Sequence, residues 1–503
     1  MITLADALHA AARDTPDRVL VRDDTAALTC AGLLSAATGL AHALLRRMPS
    51  GSVVSFTVPN WHEAAVIYLG ATLAGMVVNP ILPSLRDHEL SFILADAHSR
   101  AIFIPESFGG HDYAAMLDRV VTGLDSPPEV VVVRGGAGQA VAGRTTLSQL
   151  LAEPAGGELP VLDPGATRMI MYTSGTTGRP KGVLHSHGSL AALIAQLGRY
   201  WHIDAGDTFL VPSPIAHIGG SIYAFECPLL LGTEAVLMQR WDPDAAVALM
   251  AEHRCTHMAG ATPFLTGLLA AAQRAGTGLP DLKVFICGGA SVPPSLIRSA
   301  TEFFDKAAVS RVYGSTEVPV TTVGALDDVA LAADTDGRPG IAEIRVVDGE
   351  IRARGPQMFT GYLHPEDNHE SFDEAGYFRT GDLGQLTEDG CLVVTGRAKD
   401  LIIRNGENIS PKEVEDILAT HPDIAEIAVV GIPDPRTGER ACAALVPAGS
   451  TAPDVAVLKD FLVSRGVAKF KVPEQVTVVP ALPKNDAGKV LKHVIKAQLT
   501  EES

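Results

Sequence analysis

The 503-residue sequence lacks the features of secreted and nucleic-acid-binding proteins. Its N-terminus, MITLADALHAAARDTPDR, carries acidic and basic residues throughout and does not have the basic-then-apolar order of a secretory signal. A formal net charge of -18 argues against a general nucleic-acid binder, which needs a basic face for phosphate. It does not exclude anionic ligands, because a local group of backbone N–H donors can hold phosphate on an acidic protein.

The sequence also lacks an uninterrupted membrane span. One uncharged run, Ala64 to Leu85, is long enough to raise the question. Glycine, asparagine and proline interrupt this run at Gly70, Gly75, Asn79, Pro80 and Pro83. We therefore expect a buried helix followed by a short strand.

Cysteines are few, and no C-x-x-C pair occurs among them. The six cysteines are Cys30, Cys227, Cys255, Cys287, Cys391 and Cys442. Their scatter argues against a disulfide framework or a zinc site and favours reduced thiols. We expect a soluble, cytoplasmic protein.

What the sequence does contain is a long alternation of helical and apolar segments, and 503 residues exceed what one hydrophobic core usually organises. From Met169 onward, glycine-rich turns directly follow apolar runs. Thr173–Gly178 follows the run Met169–Tyr172, and Gly288-Gly289 follows Val284–Cys287. Strands that end in glycine turns and feed helices are typical of layered α/β architecture, with ligands at the strand ends.

The pattern changes twice towards the C-terminus. Gly340–Met358 has the short strands and Gly/Pro turns of a β-rich subregion. After Gly396 a new unit begins, in which Ser410-Pro411-Lys412-Glu413 predicts a capping box that opens the helix Lys412–Leu418. Strands are predicted at Ile424–Val430 and Ala441–Val446, and a helix near Val455–Ser464. We expect a large N-terminal α/β domain of several subdomains, residues 1–398, and a small α+β domain, residues 399–503.

The segment YTSGTTGRPKGV, residues 172–183, predicts a phosphate-binding loop. Its three glycines, Gly175 among them, allow close backbone approach to an anion, and Lys181 supplies positive charge. Hydroxyl donors come from Thr173, Ser174, Thr176 and Thr177. The spacing does not fit G-x-x-x-x-G-K-[ST], which disfavours a P-loop NTPase. A flexible surface turn is the alternative for this segment taken alone.

Together with seven further motifs in order, this segment resembles the adenylate-forming superfamily of acyl-CoA synthetases, peptide-synthetase adenylation domains and luciferases. The further motifs are Pro214–Gly219 (PIAHIG), Gly288–Ala290 (GGA), Tyr313–Glu317 (YGSTE), Tyr377–Asp382 (YFRTGD), Gly396–Asp400 (GRAKD), Asn405–Pro411 (NGENISP) and Pro483–Lys489 (PKNDAGK). Residues 78–90 are also similar to cyclohexanecarboxylate–CoA ligases.

The resemblance implies an ATP- and Mg²⁺-dependent activation of a carboxylic acid as its acyl-adenylate, followed by transfer to coenzyme A. Joining a carboxylate to AMP requires charge screening, in-line positioning and a metal ion on the leaving pyrophosphate. Residues carried over as nucleotide ligands are Gly289, Ala290, Tyr313 beside adenine, Gly314, Ser315, Thr316 at the α-phosphate, Asp382 at the ribose and Arg397 near the same sugar. Glu317 is carried over as the Mg²⁺ ligand.

Two further side chains are carried over as catalytic. Lys489 would be inserted from the small domain to bridge the carboxylate and the α-phosphate. His217 would lie beside the acyl carboxylate and gate the acyl pocket and the thiol tunnel. His185 and His187 are interpreted as structural.

The resemblance also implies a mobile C-terminal domain, because Lys489 must leave before a thiol can approach. The hinge corresponds to Lys399. The loop Asn405–Ile409 would then line the thiol tunnel, with Gly406 beside the reacting centre, where a side chain would narrow the passage. A plain turn glycine is the alternative for Gly406.

The sequence indicates only the general class of the substrate. No acid follows His217 before Glu226, which disfavours an amino-acid substrate. Small residues in Ile218–Tyr223 and Gly260–Phe264 favour an apolar pocket for an alicyclic, polycyclic or medium-chain acid.

Three alternatives to an acyl-CoA ligase remain. One is an acyl-AMP ligase that loads a separate carrier protein, although no long insertion separates Asp382 from Gly396. Another is a luciferase-like oxidase, for which no luciferin pocket is evident. The third is a non-catalytic binding protein, disfavoured by the intact site residues Lys181, Glu317, Asp382 and Lys489.

Overall fold

The structure is a computed structural model that describes residues 2–134, 143–173, 179–289, 292–485 and 488–501. Seven strands form one sheet of the N-terminal part, parallel except for the last strand. In spatial order they are Ala308–Arg311, Val284–Cys287, His257–Gly260, Thr208–Val211, Glu234–Leu237, Val19–Arg22 and Ala27–Thr29. The carboxyl ends of the parallel strands therefore lie along one edge, where the glycine turns follow them.

Eight strands form a second sheet, antiparallel only at its first two pairings. In spatial order they are Gly361–Tyr362, Lys181–Ser186, Thr167–Thr173, Val77–Pro80, Val53–Phe56, Ser99–Pro105, Glu129–Val133 and Thr145–Thr146. A two-stranded hairpin, Ser107–Phe108 with His111–Asp112, lies apart from both sheets.

Helices connect and cover these sheets. The helices of the N-terminal part are Leu4–Asp14, Cys30–Leu45, His62–Leu73, Asp87–Asp96, Tyr113–Thr122, Leu147–Leu151, His187–Tyr200, Ile218–Ser221, Cys227–Leu230, Pro243–Glu252, Thr262–Ala275, Pro294–Phe303 and Val329–Asp334. Ile222–Glu226 is a π-helical turn between two of them, and Pro365–Asn368 and Ala398–Asp400 are 3₁₀ turns.

One hydrophobic core joins the two large sheets. It contains Phe56 from the second sheet, Phe209 from the first, and Leu40 and Ile67 from helices between them. The opposite face of the first sheet is covered by a separate core that includes Leu265. Because both faces are buried, the strands read as continuous apolar runs, which is the pattern from which they were predicted.

The uncharged run Ala64–Leu85 folds as expected. The helix His62–Leu73 is buried over most of its length and is followed by the strand Val77–Pro80. None of the helices in the described ranges combines the length and hydrophobicity that a membrane-spanning helix needs.

The β-rich subregion is an antiparallel sheet of four strands, Glu343–Val347, Glu350–Arg354, Phe378–Leu386 and Leu392–Arg397. The C-terminal unit has a sheet of its own, in the order Glu407–Ile409, Ile402–Arg404, Gly438–Pro447 and Ile424–Asp434, with Gln475–Val478 also paired to Gly438–Pro447. Its helices are Pro411–Leu418, Val455–Ser464 and Lys492–Glu501, with a 3₁₀ turn at Lys469–Lys471. The predicted fold class, with a large α/β N-terminal domain and a small α+β C-terminal one, is confirmed, whereas the boundary at residue 399 stays a prediction.

The predicted capping box at Ser410 is wrong, although the helix begins at Pro411 as the proline indicated. The Ser410 hydroxyl donates to the Thr395 carbonyl at 2.6 Å and makes no cap hydrogen bond. The Glu413 carboxylate binds Lys471. A tertiary contact to the preceding strand has taken the place of the local cap.

A buried ion pair ties the two halves of the core together. Arg168 Nη2 lies 2.7 Å from Glu226 Oε1, and both side chains are 1% exposed. The Tyr68 hydroxyl donates to the same carboxylate oxygen at 2.7 Å. Arg168 belongs to the strand Thr167–Thr173 that leads into the phosphate loop, whereas Glu226 ends the π-helical turn.

We expect Glu226→Gln to lower the free energy of unfolding by about 3–5 kcal/mol, because it leaves the buried Arg168 charge uncompensated. The oxygen of the new amide can still accept from Tyr68. The double variant Arg168→Met/Glu226→Gln removes the charge as well and should regain most of that loss. Urea unfolding followed by tryptophan fluorescence measures both, and a single variant as stable as the wild type would contradict the assignment.

Candidate active site

The site is built on the carboxyl ends of two neighbouring strands of the first sheet, Val284–Cys287 and Ala308–Arg311. Gly288 follows the first strand, and a Cβ there would stand 2.8 Å from the Val312 carbonyl oxygen. Gly314 follows the second strand, where a Cβ would stand 2.6 Å from the Val320 nitrogen. Only glycine fits at either position, so the two turns lie close against their neighbours.

Tyr313, Asp382 and Arg397 form one hydrogen-bonded group. The Tyr313 hydroxyl donates to Asp382 Oδ2 at 2.8 Å, and Arg397 Nε donates to Asp382 Oδ1 at 2.9 Å. Asp382 and Arg397 are also directly opposite each other on neighbouring strands. Burial raises the pKa of the Tyr313 phenol, and the Asp382 charge adds to this, so Tyr313 stays a donor to the carboxylate.

Glu317 and Lys181 meet around one tyrosine. The Tyr362 hydroxyl donates to Glu317 Oε1 at 2.9 Å, and Lys181 Nζ lies 4.8 Å from the centre of the Tyr362 ring. Burial, followed by the Glu317 charge, raises the Tyr362 pKa. The cation expected at the phosphates and the carboxylate expected at the metal ion thus share one contact.

The two cations of the phosphate loop share one carboxylate. Arg179 Nη2 lies 2.8 Å from Asp367 Oδ2, and Lys181 Nζ lies 3.3 Å from Asp367 Oδ1. The base of the loop is an antiparallel pair in which Thr173 is opposite Lys181. Ser174, Gly175, Thr176 and Thr177 lie outside the described residues, as does Ala290.

His185 reaches from the second sheet to the backbone at Thr316. Its Nε2 donates to the Thr316 carbonyl at 2.7 Å. Burial lowers the pKa of His185 to about 4, so the ring is neutral at physiological pH. The hydroxyl of Ser315, the residue before Thr316, accepts from the Val318 N–H at 3.1 Å and so stabilises the turn.

His217 begins the short helix Ile218–Ser221, and its Nδ1 accepts from the Gly219 N–H at 3.3 Å. This places the ring proton of the neutral form on Nε2. The side chain is exposed within the cleft, although desolvation by the surrounding protein, together with the Lys489 charge, lowers its pKa. The preceding segment is fixed by Asn60, whose amide donates to the Val211 and Ser213 carbonyls and accepts from the Ile215 N–H.

Lys489 of the C-terminal unit reaches the cleft of the N-terminal part. At Gly488, beside it, a Cβ would stand 3.0 Å from Pro263 Cγ, so this loop touches the segment after the strand His257–Gly260. Burial, followed by the nearby Arg397 charge, lowers the Lys489 pKa to about 8 against the opposing effect of Asp382. Lys489, Arg397, Asp382 and His217 therefore lie close enough for their charges to interact.

Lys399 also lies near Lys489, because its charge helps to lower the Lys489 pKa, whereas Gly406 lies at a hairpin tip. Asn405 and Gly406 both have positive φ, 50° and 82°, and form the two-residue turn of the hairpin between Ile402–Arg404 and Glu407–Ile409. Asn-Gly is a favoured sequence for such a turn. The hairpin tip is exposed, and among the described residues, its chain neighbours aside, no atom lies within 4 Å of where a Gly406 Cβ would stand. Lys399 lies in the 3₁₀ turn Ala398–Asp400.

Sequence reasoning missed three side chains that shape the site, Tyr362, Asp367 and Asn60, and the contact that His185 makes. Tyr362 acts across 45 residues and His185 across 131. The strand pairing of Val183 with Tyr362 brings both next to the phosphate loop. Tyr362 and Asp367 stand in a polar region, so the sequence Gly361–Asp367 gave no distinctive local signal.

The chain is similar over nearly its whole length to known proteins. A family model described as "AMP-binding enzyme" matches residues 8–363, and one described as "AMP-binding enzyme C-terminal domain" matches residues 413–489. A medium-chain fatty-acid–CoA ligase of Escherichia coli is 35% identical over 522 residues, covering 99% of this chain and 90% of the relative. A Rhodococcus jostii ligase named for 3-[(3aS,4S,7aS)-7a-methyl-1,5-dioxo-octahydro-1H-inden-4-yl]propanoyl:CoA is 32% identical, covering 99% and 98%. The structure of ATP-bound MatB from Rhodopseudomonas palustris superimposes with a TM-score of 0.88 at 28% identity, covering 100% of both chains.

Gly220→Ala should displace the His217 segment, because the new Cβ would stand 2.1 Å from the Pro214 carbonyl oxygen. We expect a loss of about 1–3 kcal/mol in the free energy of unfolding, the usual cost of overpacking. Gly219→Ala is the matched control, since its Cβ would meet only His217 Nδ1, at 3.6 Å. Thermal unfolding compares the two, and equal melting temperatures would refute the packing argument.

Proposed function

Because this chain belongs to the AMP-binding enzyme family and is an acid–thiol ligase of the adenylate-forming type, we propose that it converts a carboxylic acid and ATP into acyl-AMP and pyrophosphate and then into acyl-CoA. The observation that carries the proposal is the position of Lys489 next to Asp382, Arg397 and His217. A lysine from the C-terminal unit in the cleft is the arrangement that the first half-reaction requires.

In adenylation, an acid oxygen attacks the α-phosphorus of ATP and the bond to pyrophosphate breaks. Negative charge builds up where the carboxylate and the phosphate meet, and a cation already in place stabilises it most effectively. We assign this role to Lys489. Arg179 and Lys181 would bind the outer phosphates, the Thr316 hydroxyl the α-phosphate, and Asp382 the ribose hydroxyls, with Tyr313 beside the adenine. The Nε2–H of His217 would orient the acid.

The Glu317 carboxylate is suited to bind Mg²⁺. It accepts a single hydrogen bond within the described residues, from Tyr362, so one oxygen has no hydrogen-bond partner there. Mg²⁺ is commonly held by one or two carboxylates plus substrate phosphates. Bound there, the ion would neutralise charge on the departing pyrophosphate.

The acid is an alicyclic, polycyclic or medium-chain carboxylic acid. Gly219, Gly260 and Ala261 keep side-chain volume out of the expected acyl pocket, and Trp241 and Phe264 supply an aromatic pair next to it, with ring centroids 4.9 Å apart. The E. coli relative is named for medium-chain fatty acids and the Rhodococcus relative for a bicyclic propanoyl group, which supports both classes. Six free, buried cysteines support a cytoplasmic location.

Coenzyme A is the proposed acceptor. A cavity of about 300 Å³ in the C-terminal unit is lined by Arg404, Lys459, Lys469 and Phe470, among others. Exposed lysines beside an aromatic ring suit the phosphates and adenine of the CoA nucleotide. Arg404 directly precedes the Asn405–Gly406 turn, which would enter the cleft when residues 399–503 rotate about Lys399 relative to residues 1–398. A separate carrier protein is the alternative acceptor.

The proposal is tested by ATP–pyrophosphate exchange with aliphatic, aromatic, alicyclic and terpenoid acids, followed by mass analysis of the product formed with CoA. We expect exchange with medium-chain or ring-containing acids and an acyl-CoA product. Exchange without acyl-CoA would favour the carrier-protein alternative. No exchange with any acid would refute the catalytic assignment.

Lys489→Ala should reduce exchange by about 10²-fold or more, the usual effect of removing one charge-stabilising group. Thioester formation from a supplied acyl-adenylate should be much less affected, because Lys489 is expected to have left the cleft by then. Both half-reactions can be followed by mass spectrometry. An equal loss in the two would contradict its assigned role.

The alkaline limb of the pH profile, where activity falls, should report the deprotonation of Lys489. Its pKa is lowered to about 8, so the positive charge is present below that pH and is lost as the pH rises through it. We expect kcat/KM for ATP, which reports the free enzyme, to fall about tenfold per pH unit above 8. The kcat at saturation should fall only at higher pH, since bound anions raise the lysine pKa. Lys489→Arg stays charged and should lack the limb; the same limb in that variant would assign it to another group.

A further inference from the structure

Two donors hold the backbone carbonyls of Thr316 and Glu317, and a third binds the Glu317 side chain. The Thr316 carbonyl accepts from His185 Nε2 at 2.7 Å, and the Glu317 carbonyl accepts from the Phe359 N–H at 2.8 Å. The Tyr362 hydroxyl binds the Glu317 carboxylate itself. Of the three contacts, only the one from His185 fixes the peptide unit between the two residues.

That peptide unit matters because it is planar. The carbonyl of Thr316 and the N–H of Glu317 belong to the same plane, so holding the carbonyl fixes the direction in which the Glu317 Cα leaves it. The Thr316 Cα lies at the other end of the same plane. One hydrogen bond therefore orients both side chains.

His185 is itself rigidly placed. It is fully buried, and Nε2 must carry the ring proton because a carbonyl can only accept. Its Nδ1 lies 3.2 Å from the Ser189 hydroxyl, which also accepts from the Ser186 N–H at 3.1 Å. The first turn of the helix His187–Tyr200 thus holds the ring.

The same strand carries Lys181 and His185 four residues apart. In a strand, residues an even number apart point to the same face. The strand therefore presents the phosphate-loop cation at its start and the donor to Thr316 near its end, both towards one side. The spacing between Lys181 and the Thr316–Glu317 peptide is set by this strand.

We propose that His185 is a positioning residue for adenylation, which fixes the Thr316–Glu317 peptide relative to Lys181 and thereby sets the site for metal-bound ATP. The proposal rests on the assignment of Thr316 and Glu317 to the α-phosphate and the metal ion. It gives His185 a role beyond the structural one expected from the sequence. Outer contacts of this kind typically change metal affinity or activity by about 10–100-fold.

The test compares His185→Leu, which removes the donor, with His185→Gln, whose amide can reach the same carbonyl. Calorimetry measures the binding of ATP with Mg²⁺ and of ATP in EDTA. We expect His185→Leu to weaken Mg²⁺-ATP binding about tenfold while changing metal-free binding less than about twofold. His185→Gln should regain most of the loss. In ATP–pyrophosphate exchange, kcat should fall and the KM for the acid should stay constant.

His257→Leu is the matched control. His257 is also a buried histidine whose Nε2 donates to a carbonyl, that of Trp201 at 2.9 Å, and within the described residues none of its hydrogen bonds goes to Thr316 or Glu317. The His257→Leu variant should leave Mg²⁺-ATP binding unchanged. If His185→Leu does not fold, His185→Asn, whose amide is too short to reach Thr316, replaces it.

Equal loss of binding with and without Mg²⁺ would overturn the proposal, and so would an equal effect of His257→Leu or a failure of His185→Gln to restore binding. Lack of exchange activity in the wild type with every acid would instead refute the proposed reaction. The calorimetric comparison decides the role of His185 in either case.

Discussion

The rest of the structure depends on one electrostatic constraint, which is a positive charge held in a partly buried cleft. Lys489 carries this charge, and its pKa is lowered because the surroundings disfavour a cation. Asp382 opposes that effect from close by, and Arg397 adds to it. An anion that enters the cleft would therefore stabilise the charged form of Lys489. Such a site suits a reaction in which two anionic groups must approach each other.

Both large sheets position residues around this cleft. The first sheet ends in glycine turns that allow Gly288 and the Tyr313–Glu317 segment to lie against one another. The second sheet contributes the phosphate-loop strands and, through Tyr362 and His185, contacts the same segment. Glu317 is thus the point at which both sheets meet. The C-terminal unit places Lys489 near this cleft and has a core of its own.

Much of the fold followed from local sequence. Glycine turns after apolar runs identified the strands Thr167–Thr173 and Val284–Cys287, and proline at position 411 identified the start of its helix. The ordered motifs predicted the family, which the comparisons confirm. The wrong capping box at Ser410 and the missed contact of His185 have one physical cause. Ser410 bonds to Thr395 and His185 to Thr316, and such contacts depend on strand pairing and not on the neighbours in the chain. The Gly406 turn is explained here by its hairpin geometry, while its expected place beside the thiol remains a prediction.

The buried pair of Arg168 and Glu226 has a consequence for how this chain can evolve. One partner lies on the strand that carries the phosphate loop and the other on the turn that follows His217. Loss of either alone leaves a lone charge in the dry interior, so a lineage can replace them only together or through a much weakened intermediate. Divergence near the turn that follows His217 is therefore expected to proceed by changes at surrounding apolar positions, while Arg168 and Glu226 are inherited as a pair.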